Sequence, residues 1–219
     1  LFIQCVINMQ NQELMQNFLQ LKSSLLMDNP EKYFGHFIEF NLNIFCNSEI
    51  PEKSRVQAAI FIKDGLLAFE FKVVRIFWLN LPDRIHDYAL NTLFQALSSE
   101  IPATRNICSE CIACISLLEL DNKKPNKERK WYQFCEKLYR FIIEKDKNEN
   151  LFIGAISCLA ALFNYQVIQQ TDIPEGLIEI MGILQQILIH KVDHIYAIQN
   201  AAVALYRIIR QTPGLYPPE

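Results

Sequence analysis

"TRNICSECIACISLLEL", residues 104–120, decides how the chain is read, because it places Cys108, Cys111 and Cys114 at a constant spacing of three. Two kinds of structure use such a run. An iron–sulfur site takes Cys-x2-Cys-x2-Cys-x3-Cys in an irregular loop, where the backbone lets the thiolates converge on a cluster. A buried helix takes cysteine as a small hydrophobe. Here position 118 is Leu, and the next cysteine is Cys135, beyond a charged joint. Ile107, Ile112, Ile115, Leu117 and Leu118 form a continuous helical stripe without glycine. The run therefore reads as a helix whose sulfurs pack in a core, with no metal or other cofactor expected.

Other segments share this texture of small residues: "RVQAAIFIKDGLL" (55–67), "FIGAISCLAALF" (152–163) and "IQNAAVALYRII" (198–209). They recur at roughly 46–50 residues, close to the ~40–47 of two-helix repeats of the HEAT or armadillo type. Small side chains let neighbouring helices approach closely, which suits the inner layer of a stacked array. Helix starts carry caps or early prolines, such as Pro30, Pro51 and Pro102. The expected fold is all-α, an α-α superhelix of about five helix pairs over 1–27, 30–67, 72–120, 127–168 and 173–211. The whole of 1–219 reads as one segment of a longer solenoid. A closed helical bundle is the competitor.

Bulk properties agree with helices and narrow the function. The 219 residues are 51% hydrophobic and 21% charged, with net charge −3 and only six glycines. No glycine-rich phosphate loop, His-Glu-x-x-His or Gly-x-Ser-x-Gly occurs. The chain is not expected to be an enzyme. Without an excess of Lys and Arg to displace phosphate counterions, it is not expected to bind nucleic acid. Seven cysteines in apolar helical runs suggest reduced thiols. "LFIQCVINMQ" lacks the features of a signal peptide. The longest apolar run, 151–163, is short of the ~20 residues of a membrane span, so no membrane partner is expected.

Remaining chemistry-bearing residues read as structural. His190 and His194 have the i, i+4 spacing of a metal pair, but "HKVDH" spans a helix–helix turn. "ERKWYQFCEKLYRF" interleaves bases with aromatics, yet Trp131, Phe134, Leu138 and Phe141 share one stripe of an amphipathic helix.

A resemblance now enters. Arg55, Ala58, Ala59 and Lys63, then Trp78–Leu79, Leu97, Leu118–Glu119–Leu120 and Trp131 resemble in order the N-terminal repeats of the importin-beta family of nuclear transport receptors. "IQNAAVALYRII" is similar to that family's fifth inner helix. Asp64 stands where the family has Asn, and Phe77 where it has Arg. The stretch 65–79 is shorter than the family's, which implies residues missing between Leu67 and Val73. Read as a strand, Phe69, Phe71 and Val73 would alternate, but without a partner strand.

The resemblance implies a carrier of protein cargo, working in cytoplasm and nucleus and at the nuclear pore. It implies binding of the GTPase Ran in its GTP form through inner helices, at Lys63, Asp64, Arg105, Asn106, Ser109 and Glu110. It also implies docking of nucleoporin Phe-Gly repeats on an outer helix around Met181, Gly182 and Gln185. Cargo, or an importin-alpha-type adaptor, would bind mostly in later repeats. The residues alone fit solvated charges and a core methionine equally well. The rival reading is a HEAT-repeat scaffold for a phosphatase, coat or translation assembly.

Overall fold

The structure, a computed structural model, describes residues 30–67, 70–119, 137–138, 140–142, 148–164, 177–189 and 195–211. The pair expected over 1–27, the joint 121–130, Trp131, His190 and His194 lie outside them. The protein is all-α, with no strand among the described residues. It divides into two compact units, 1–92 and 93–219.

In the first unit, α1 (Pro30–Cys46) and α2 (Glu52–Leu67) form a hairpin. Pro30 sits at the first helical position, where a missing N–H removes no intrahelical bond. The turn is set by Asn47, whose Oδ1 accepts the Glu49 amide at 2.9 Å, and by Pro51 ahead of α2. Phe34, Ile38 and Leu42 of α1 and Ala58, Ala59 and Ile62 of α2 are buried.

The stretch that alternates as a strand is instead helical: α3 spans Phe71–Leu79. Val74 and Trp78, four apart, are fully buried, while Ile76 is 56% exposed. The α3 ring of Phe77 lies 5.9 Å from that of Phe34 on α1. A nine-residue run rich in β-branched and aromatic residues satisfies both periods, and packing against α1 and α2 selects the helical one.

Helix α4 (Asp83–Ala96) returns over α3 and α1. His86 is buried, stacks on Trp78 at 4.8 Å and places Nε2 2.7 Å from the Trp78 carbonyl oxygen. Because a carbonyl only accepts, the proton sits on Nε2. Arg84 donates to Glu39 at 2.6 Å, and Tyr88 donates to Asn43 at 2.8 Å. Both pairs are separated by 45 residues, and Cys46 meets Thr92 at a separation of 46. A constant offset along both helices means that α4 runs parallel to α1, as equivalent helices of successive repeats must.

Burial, and then the neighbouring Cys46, push the Tyr88 hydroxyl up to about 12. A free tyrosine titrates near ~10, so the folded state holds this proton more tightly. The resulting stabilisation is present below about pH 10 and lost as pH climbs toward 12. Ultraviolet titration is expected to show a late phenolate that the Tyr88→Phe variant lacks.

The second unit holds α5 (Pro102–Glu119), α6 (Glu149–Asn164), α7 (Leu177–Ile189) and α8 (Ile195–Gln211). Helix α6 packs between α5 and α8, and α7 packs on α8. Every residue from Phe152 to Phe163 is buried, with α5 and α8 on either side and Leu97 against Gly154. Asn148 caps α6, its Oδ1 accepting the Leu151 amide at 3.0 Å. Helical residues 137–138 and 140–142 include Leu138 and Ile142, both buried, and Phe141, whose ring lies 6.2 Å from Phe94.

Cys108, Cys111, Cys114 and Cys158 are thiols 0–1% exposed in this core. The sulfur run is helix packing, as its sequence indicates. Cys46, by contrast, is exposed. Alkylation of the native chain, read peptide by peptide in a mass spectrometer, is expected to label Cys46 and to reach these four only in denaturant. No helix among the described residues is long and apolar enough to cross a membrane.

Candidate protein-binding face on three parallel helices

Along α5, every residue from Arg105 to Leu118 is buried except Asn106, Glu110 and Leu117. Asn106 and Glu110 are one turn apart and so share a face. On α6, Ser157, Ala160, Ala161 and Asn164 follow the same i, i+3, i+4, i+7 spacing; on α8, Asn200, Val203 and Arg207 do so. Together with Ser109 these residues line a cavity of about 230 Å3. The two alanines recess the middle helix, so that α5 and α8 stand as walls of a trough along α6.

The same 45-residue register builds it. Arg105 reaches Asn150 and Ser109 reaches the Gly154 carbonyl, each across 45 residues; Arg207 reaches the Ala160 carbonyl across 47. Helices α5, α6 and α8 thus run parallel. A polar relay crosses all three. Asn200 Nδ2 donates to Ser157 Oγ, which in turn donates to Asn106 Oδ1 at 3.3 Å. With its oxygen engaged, Asn106 presents its N–H donors. Arg207 Nη1 is pinned on the Ala160 carbonyl at 2.6 Å, which fixes the guanidinium on the cavity wall.

Two residues expected to face a partner do not. Arg105 is 2% exposed and is a bracket: its Nη1 donates to the Ser99 carbonyl at 2.6 Å and to Asn150 Oδ1 at 3.2 Å. It ties the turn before α5 to the start of α6. Ser109 is 1% exposed, its hydroxyl between the carbonyls of Arg105 and Gly154 at 2.8 and 3.3 Å. A serine bonded back to its own helix and across to the next serves packing. The α5 residues left for contact are Asn106 and Glu110.

Lys63 and Asp64 lie on α2 in the first unit, Lys63 half-buried and Asp64 exposed. On α7, Met181 is buried, so it serves as core, while Gln185 is exposed. Gly182 is half-buried, and a methyl there would meet nothing within 4 Å.

Asn164, Ser157, Asn200 and Arg207 were not singled out from the sequence. Their signal was a polar residue inside each of the small-residue segments, Ser157 in "FIGAISCLAALF" and Asn200 in "IQNAAVALYRII". Seen alone, each is an ordinary helix residue; only alignment of the helices puts them in one line. Among the described residues, no group of His, Cys, Asp and Glu could hold a metal ion. Compared with family models, curated proteins and solved structures, the chain matches none.

Proposed function

We propose that this chain is a segment of a nuclear transport receptor that binds Ran in its GTP form through its inner helices. In this reading it also docks nucleoporin Phe-Gly repeats on outer helices, and it supports import of protein cargo, directly or through an importin-alpha-type adaptor. The observation that supports it is the confined polar face of α5: between Arg105 and Leu118 its polar residues are buried except Asn106 and Glu110, continued by Asn200 and Arg207 on α8. Parallel stacking presents such faces side by side, a layout suited to a large polar partner and not to a small substrate.

Arg105 and Ser109 drop out of the contact set, leaving Asn106 and Glu110 with Lys63 and Asp64. Met181 likewise acts beneath the α7 surface, with Gly182 and Gln185 as the residues a Phe ring could meet. The reading places the protein in cytoplasm and nucleus. Pull-down with Ran loaded with a non-hydrolysable GTP analogue or with GDP tests it. Retention of the GTP form alone, weakened by Glu110→Lys, is expected. Equal retention of both forms, or of neither, would favour a scaffold with another partner.

A further inference from the structure

Arg207 and the carboxamides around it form a site that the transport reading does not use by itself. We propose that the α5–α6–α8 cavity takes one glutamate side chain of a protein partner, with its carboxylate on Arg207 and its neighbouring peptide carbonyls on Asn106 and Asn164.

The donors decide the ligand. Arg207 spends one Nη1 hydrogen on the Ala160 carbonyl and carries no ion pair among the described residues. Its remaining N–H groups form a held fork, the geometry that suits a carboxylate. The relay leaves Asn106 with amide donors, and Asn164 is exposed at the far end of the trough. Between them, Ala160, Ala161 and Val203 provide an apolar floor on which two methylenes can lie. A volume of about 230 Å3 admits a side chain and its flanking peptide groups, not a nucleotide.

The apolar floor separates glutamate from the other anions. Glu110 lines the same cavity. A phosphate has no methylenes to lie on the floor of Ala160, Ala161 and Val203, whereas a glutamate side chain covers it while its carboxylate reaches Arg207. The site therefore prefers glutamate over phosphate, and removing the Glu110 charge should improve both.

Amide NMR of the whole chain tests this without Ran, so its failure is separate from that of the transport reading. The probes are N-acetyl-glutamate N-methylamide, its glutamine counterpart and inorganic phosphate. The glutamate probe is expected to shift the side-chain amides of Asn106 and Asn164 saturably, with Kd on the order of 1 mM. The glutamine probe and phosphate should bind at least several-fold more weakly. Glu110→Gln should tighten the glutamate probe several-fold, and Arg207→Gln should abolish its binding. Equal response to glutamate and glutamine, stronger binding of phosphate, or normal binding by a folded Arg207→Gln chain would overturn the proposal. If Arg207→Gln does not fold, Glu110→Gln decides: unchanged or weaker glutamate binding is then the refuting result.

Discussion

Replacing Gly154 by alanine is expected to destabilise the second unit by about 2 kcal/mol net, although alanine is the better helix former. A Cβ at this position would run into the Leu97 carbonyl oxygen and approach Leu97 Cβ to 3.0 Å. The obstacle is backbone, so no rotamer change relieves it. Overpacking of this kind costs roughly 3 kcal/mol or more, against ~1 kcal/mol gained in helix propensity. The Gly154 carbonyl also accepts from Ser109, so a shift of α6 would loosen a second contact. At roughly 2–4 °C per kcal/mol, a fall in Tm of about 4–8 °C should be seen. Gly182→Ala is the control. It meets open space and should raise stability by about 0.5–1 kcal/mol. Equal effects at the two glycines would mean that α6 does not sit against Leu97 as described.

Arg105→Ala is expected to have the larger effect, a loss of about 3 kcal/mol read as a lower denaturant midpoint at constant m-value. Two charge-assisted hydrogen bonds disappear, each worth roughly 1.5–3 kcal/mol, and the Ser99 carbonyl and Asn150 lose their donor. Arg105→Lys should recover only part, since an ammonium on a flexible stem cannot make both bonds from one planar group. A solvated partner-facing arginine predicts the opposite result: unchanged stability and weaker partner binding.

Arg105 also shows where sequence reading reaches its limit. Periodicity and small-residue texture identified α1, α2, α5, α6 and α8, because a helix buried on several faces must repeat apolar or small residues every third or fourth position. They also placed the α5 sulfurs inside. A charged residue at the head of a helix, however, looks the same whether it meets solvent or a neighbouring turn. What holds Arg105 inside is the Ser99 carbonyl together with Asn150, and the latter is 45 residues away, a separation set by the stacking, not by local pattern. The short α3 was ambiguous for the converse reason: nine residues carry too little periodicity, and Trp78 and Val74 settle inward only because α1 and α2 receive them. The candidate face was half legible, with Asn106 and Glu110 visible on α5 and the α8 contributions hidden until the helices were aligned.

The Asn200–Ser157–Asn106 relay has a mechanical consequence. Greasy surfaces lined with alanine and cysteine resist separation but scarcely resist sliding, since one small side chain replaces another with little loss. A directional string of dipoles perpendicular to the rods has a single good alignment, and a slip of one turn breaks both its links. Ser157→Ala should therefore leave the rods packed yet free to creep lengthwise, so that the unit softens to shear well before it melts.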